Sequence, residues 1–220
     1  MLIIKHATKV LKGCSLASSN DRNLGNVFLV DDDKEFSASL VFLLSKAGFR
    51  SVQFKSASDF LDSPHELGPA CLILDQAMPL MSGIGLFQEL KLRKFTKPVI
   101  FLTGAGTIPS AVEAVRLGAV EYLEKPVNPS QLIECVRRCI ESDRQAMLIW
   151  SEAQILEEKF NLLTARELEV VALIREGIPS KQIASRLGLS IKTIEVHRSH
   201  ISKKLGTKSA AQLLRLICKP

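Results

Sequence analysis

Five short apolar runs recur along the first two thirds of the chain, each followed by a longer amphipathic stretch, and this alternation constrains the fold more than any other feature of the sequence. The runs are Val27 to Val30, Ser51 to Phe54, Ala70 to Leu74, Pro98 to Leu102 and Glu121 to Leu123. Strands covered on both faces are continuously apolar, and amphipathic crossovers between them build a parallel α/β sheet. Between the first two runs, Phe36, Leu40, Leu43 and Leu44 recur at helical spacing, and Gly48 closes the segment Glu35 to Ala47.

The pattern predicts a five-stranded, parallel, doubly wound sheet of the flavodoxin-like type over residues 26–143, with strand order 2-1-3-4-5 if the winding is the common one. A helical pattern then starts after Pro129 with Leu132, Ile133, Val136 and Ile140, and nothing stops it before Leu162. Residues 144–160 read as a helical linker, in which Trp150 is a packing or interface anchor. From 161 to 220 the pattern is all-α. Thr164 to Glu167 spells a capping box, Ser180 and Ser190 stand where helix caps are expected, and a fourth helix starts near Ser209.

Charge divides the chain in the same place. Residues 26–143 carry 12 bases and 15 acids, whereas Pro179 to Pro220 holds nine bases and the single acid Glu195. An acidic front and a basic end suggest two domains, the second facing a polyanion. No apolar run approaches the roughly 18 residues of a membrane span, and Lys5, Lys9 and Lys12 interrupt the apolar opening that a signal peptide needs. The expectation is a cytoplasmic protein without membrane attachment. The five cysteines form no CxxC pair, which fits a reducing compartment and packing roles. Residues 1–25 are an N-terminal extension of no assigned role.

The chemistry concentrates where the strands end. In an open parallel sheet, ligands bind beyond the carboxyl ends of the strands. Asp31 and Asp32 follow the first run, Asp75 the third, Thr103 the fourth and Lys125 the fifth. Three converging carboxylates repel one another and call for a hard divalent cation such as Mg²⁺. A lysine and a hydroxyl at the rim suit a phosphoryl group arriving at a carboxylate, with Asp75 as the nucleophile. An aspartyl-phosphate hydrolase is the enzyme alternative, but Gln76 and Ala77 remove the second acid that a D-x-D motif supplies. A constitutive DNA-binding protein, with the sheet domain serving only for dimerisation, is the third reading.

The segments VFLVDDD, CLILDQAMPLMSG, FLTGAG and AVEYLEKP resemble the receiver domain of bacterial two-component response regulators of the FixJ/NarL family, over about Val27 to Ile140. The resemblance implies that Asp75 accepts phosphate from a sensor histidine kinase. It implies that Asp32, Asp75 and the Ala77 carbonyl bind Mg²⁺, with Asp31 acting through water. Thr103 and Lys125 would hold the phosphoryl group, Tyr122 would be the aromatic switch, and the Lys125–Pro126 bond would be cis. Beyond the receiver's own phosphoryl acceptance and autodephosphorylation, no enzyme activity is implied. Leu80 stands where glycine is common in the family, Gly85 where an acid is common and Thr107 where aspartate is common.

The basic helices resemble the LuxR-type helix-turn-helix domain, whose second motif helix enters the major groove of double-stranded DNA. That helix is about Ile191 to Lys204, with Ile194, Ile201 and Leu205 on its packing side and Lys192, Glu195, Val196, Ser199 and Lys203 opposite. Thr193, Arg198 and Lys181 complete the candidate DNA-binding set, and Lys204 and Lys208 could also hold phosphates. The exposed Val196 suits a thymine methyl group, although lone exposed apolar residues are common. His197 and His200 lack a third ligand and read as packing or phosphate-facing groups. The function expected is a transcriptional regulator in which phosphorylation promotes homodimerisation and promoter binding.

Overall fold

The computed structural model describes residues 24–63, 68–104 and 108–218, so Thr107 and nearly all of the N-terminal extension lie outside the described residues. The chain divides into two compact units, Met1–Gln145 and Ala146–Pro220. In the first, strands β1 (Asn26–Val30), β2 (Arg50–Phe54), β3 (Ala70–Asp75), β4 (Val99–Thr103) and β5 (Glu121–Glu124) alternate with helices α1 (Lys34–Lys46), α2 (Ala57–Asp62), α3 (Gly83–Leu92) and α4 (Ile108–Arg116). All pairings are parallel and the order is β2-β1-β3-β4-β5. The five apolar runs are therefore the five strands.

Strand alternation sends side chains to two cores. Val27, Leu29, Ile73, Ile100 and Leu102 pack with Leu40 and Leu44 of α1 and with Val136 and Ile140 of the long helix α5 (Pro129–Asn161). Phe28, Val30, Leu72, Leu74 and Phe101 pack with Phe60, Leu86, Phe87 and Ala114 from α2, α3 and α4. Burying each large apolar side chain contributes about 1.5–3 kcal/mol. Asp143, a buried acid of α5, accepts hydrogen bonds from the Ala70 amide at 2.9 Å and Lys97 Nζ at 2.8 Å, which ties the helix to the start of β3. Gly83 opens α3 so close to β3 that a Cβ there would lie 2.3 Å from the Asp75 carbonyl oxygen, so only glycine fits.

Helix α1 begins one residue earlier than its apolar spacing indicates, because Asp33 accepts the Glu35 and Phe36 amides as N-cap. Leu80 has φ 68 and is fully exposed. That left-handed conformation, free for glycine, costs a leucine on the order of 1 kcal/mol. Lys125–Pro126 is cis.

The second unit holds the end of α5 and helices α6 (Ala165–Arg175), α7 (Ser180–Leu187), α8 (Ile191–Leu205) and α9 (Ala210–Ile217). They close on a core of Val170, Ile174, Ile183, Ile194, Ile201, Leu205, Leu213 and Ile217. The Thr164–Glu167 capping box and the Ser190 and Ser209 caps form. Ser180 does not cap α7. Pro179 occupies the N-cap position, its carbonyl accepting the Gln182 and Ile183 amides, and Ser180 enters the helix. Among the described residues no helix is long and apolar enough to cross a membrane.

Candidate functional site

The end of β1 delivers Asp31 and Asp32, and the end of β3 delivers Asp75, so that one ligand atom from each lies within 4.8 Å of the others. Asp31 and Asp75 are buried and Asp32 is exposed, which leaves the cluster open on one side. Lys125 reaches across from the end of β5. Its Nζ lies 2.8 Å from Asp31 Oδ2 and 2.6 Å from Asp75 Oδ1. The remaining Asp75 oxygen accepts the Ala77 amide at 2.8 Å, and Asp31 Oδ1 accepts the Asp33 amide at 2.9 Å.

Burial pushes the Asp31 carboxyl above its ordinary value, against the hydrogen bond and charge of Lys125. Burial acts to lower the pKa of Lys125, but its hydrogen bonds to Asp31 and Asp75 and their charges outweigh that effect and raise it. The lysine is therefore locked in its charged form. One ammonium against three carboxylates leaves the cluster net negative, and these all-oxygen donors match a hard divalent ion.

Two residues that the sequence did not single out join this site. Phe36, from the first turn of α1, places its ring centroid 4.1 Å from Lys125 Nζ, a cation–π contact beside the two carboxylate contacts of the ammonium. A large apolar residue one helical turn past the acid pair was the available signal, but it was also an ordinary member of the α1 packing stripe. The second is Gln76, next to Asp75, whose side-chain carbonyl accepts the Tyr122 hydroxyl. Tyr122 also lies against Phe101, with centroids 6.1 Å apart. Thr103 is buried at the end of β4, and its carbonyl accepts the Lys125 amide at 2.7 Å. Asp31, Asp32, Asp75, Ala77, Thr103, Tyr122 and Lys125 thus share the carboxyl end of the sheet.

In the second unit, Ile194, Ile201 and Leu205 are buried, and Lys192, Glu195, Val196, Ser199 and Lys203 are exposed on α8, as the spacing predicts. Lys181 is exposed on α7. Lys181, Lys192, Glu195 and Lys203 have no ion-pair partner among the described residues. Two of the expected contacts are less free. Thr193 is half-buried in the α8 cap, its amide and hydroxyl 3.0 and 2.8 Å from Ser190 Oγ, and Arg198 Nη1 lies 3.4 Å from Ser180 Oγ. Lys204 corrects the sequence reading of a phosphate-holding lysine, because its Nζ lies 2.6 Å from the buried Glu167 Oε2. The lysine and the Thr164 donors hold the Glu167 carboxyl down at about 2.

Comparison with known proteins follows this division. Residues 27–137 match the response regulator receiver domain, and residues 161–217 match the luxR family of bacterial regulatory proteins. The chain is 36% identical over 190 residues to nodulation protein W of Bradyrhizobium diazoefficiens, covering 86% of this chain and 84% of that protein. It is 35% identical over 192 residues to the transcriptional regulatory protein FixJ of the same organism, covering 87% and 94%. Among solved structures, the response regulator StyR superposes with TM-score 0.82 at 37% identity, covering 88% of this chain and 98% of that one.

Proposed function

The chain belongs to the FixJ/NarL family of response regulators, DNA-binding transcriptional regulators built from a receiver and a LuxR-type domain, and from this we propose that Asp75 is its phosphoacceptor and α8 its DNA reader. The observation that carries the reading is Lys125 bridging Asp31 and Asp75 beside Asp32. Domain limits of 26–143 for the receiver, 144–160 for the linker and 161–220 for the DNA-binding domain fit this assignment, as does a cytoplasmic location.

A sensor histidine kinase supplies the phosphoryl group. An Asp75 carboxylate oxygen attacks phosphorus, the P–N bond of the phosphohistidine breaks, and the imidazole leaves with its electron pair. Asp32, Asp75 and the Ala77 carbonyl would hold Mg²⁺, with Asp31 acting through water, and the ion would neutralise charge on the transferring oxygens. Lys125 moves its ammonium from the carboxylates to a phosphoryl oxygen, and the Thr103 hydroxyl donates to another. Tyr122 reports the change through Gln76 and Thr103. Water later hydrolyses the acyl phosphate, and the small Ala77 side chain leaves it room. Phosphorylation favours a homodimer, which joins two weak DNA half-site contacts into one strong one.

Incubation with Mg²⁺ and a small phosphodonor, read by intact mass and followed by DNA binding, tests the proposal. One base-labile phosphoryl group and tighter DNA binding are expected, and Asp75→Asn should lose both. A labile acyl phosphate on Asp75→Asn would overturn the assignment.

A further inference from the structure

The stretch of α5 within the second unit leaves large apolar side chains uncovered. Leu148 is 52%, Ile155 53% and Leu162 62% exposed. The residues Leu148, Glu152, Ile155, Lys159 and Leu162 follow one another at steps of four and three, the spacing that keeps a seam on one side of a helix. Leu162 lies one residue past the helix end, but its amide still bonds the Lys159 carbonyl at 3.2 Å and prolongs the last turn. Glu152, Ile155 and Lys159 of this seam, together with Ile149 and Leu156, line a groove of about 410 Å³ whose far wall is Leu216 of α9. Phe160 is partly buried and packs instead against the core of the unit.

The order of the seam is informative. Read outward from Ile155, it gives an acid then a leucine in one direction and a base then a leucine in the other. Glu152 and Lys159 have no charged partner among the described residues. A two-fold axis through Ile155, perpendicular to the helix, sets Leu148 opposite Leu162 and Ile155 against its own copy. It also brings each Glu152 beside the Lys159 of the other copy, so both unpaired charges are satisfied twice over. A parallel, in-register pair would set Glu152 against Glu152 and Lys159 against Lys159. We propose that this face of α5 is an antiparallel, self-complementary docking surface for a second copy of the same chain.

One short helix per copy buries less than the roughly 1,200 Å² of a stable interface, so this contact is weak and dependent on concentration. It does not rest on the phosphorylation reading. It supplies association that needs no phosphate and places the second copy's isoleucine and leucine side chains along the groove.

Sedimentation of the full chain without phosphodonor, over a wide concentration range, tests the pairing. Asp75→Asn as an added background keeps the outcome separate from any receiver-driven dimer. Reversible self-association is expected, weakened about tenfold by Glu152→Lys or Lys159→Glu alone and restored when both reversals stand in one chain. Ile155→Asp, at an exposed position, should abolish it. A monomer at all concentrations, single reversals without effect or a double reversal that fails to restore would each overturn the proposal.

Discussion

In the receiver pocket, Asp31 and Asp75 are buried and share one lysine, whereas Lys192, Lys203 and Glu195 on α8 stand in solvent without an ion-pair partner among the described residues. Under the proposed roles, the difference follows from what each region must meet. A phosphoryl group is small and reacts at one atom, so its site must be organised in advance, and the lost hydration of each charge must be replaced by a fixed partner. A nucleic acid is long and surrounded by counterions, and lysines that remain hydrated can displace those counterions one at a time. Substitutions in the pocket should therefore act all at once, and those on α8 by increments.

The sharpest challenge to this contrast comes from α8 itself, which also carries Lys204, paired inside the unit with Glu167. Glu167→Gln is expected to cost about 2 kcal/mol at neutral pH, since the capping box loses charge and the lysine its partner. The folded carboxyl titrates near 2, below the ordinary 4.5. Its stabilisation is therefore complete above about 4.5 and lost as pH falls toward 2, because the unfolded state binds the proton first. Urea unfolding followed through amide NMR signals of residues 164–217 should show that decline in the parent and a flatter profile in the variant. Identical profiles would mean that the pair contributes nothing.

On the exposed side of the same helix, Lys192→Gln should weaken binding to every DNA sequence by about tenfold and reduce the salt slope by about one unit. Glu195→Ala should instead leave overall affinity equal or higher and relax base preference at one position, as expected of a carboxylate that accepts from a cytosine amino group. Selection from a random duplex library, repeated at two salt concentrations, separates these effects. Unchanged base preferences for Glu195→Ala would leave it as a surface charge only.

The smallest effect tests how far preorganisation of the pocket extends. Phe36→Leu retains apolar packing but removes the ring beneath Lys125 Nζ, a contact worth about 0.5–1 kcal/mol. Phosphorylation by a small donor should slow a few-fold, with Phe36→Tyr restoring the rate and the thermal midpoint of the receiver little moved. A rate that follows the midpoint instead would assign Phe36 to packing alone.

Much of this arrangement was legible in one dimension. Strand identities follow from continuous apolar runs and helix identities from a period of 3.6, and Asp31, Asp32, Asp75, Thr103 and Lys125 could be grouped because the strand ends of a parallel sheet share one edge. Ser180 has the chemistry of a cap but does not act as one, because the preceding proline, with its fixed φ, provides the N-cap residue without a side-chain hydrogen bond. Lys204 was misread because nothing in its own helix shows that Glu167, 37 residues earlier, is buried beneath it. In the sequence Gln76 reads only as a missing acid, and its acceptance of the Tyr122 hydroxyl joins residues 46 apart.

The sequence by itself determined which segments are strands and helices, where charge accumulates and which acids end up at one edge, since each of these depends on local spacing or on composition. Tertiary structure alone decided which of those charges are free. Pairing of Lys204 with Glu167, of Asp143 with Lys97 and of the Phe36 ring with Lys125 requires distances of a few ångströms between segments far apart in the chain. Charge interaction and desolvation both change steeply over such distances, so whether a lysine meets solvent, phosphate or a buried carboxylate is settled only when the helices pack.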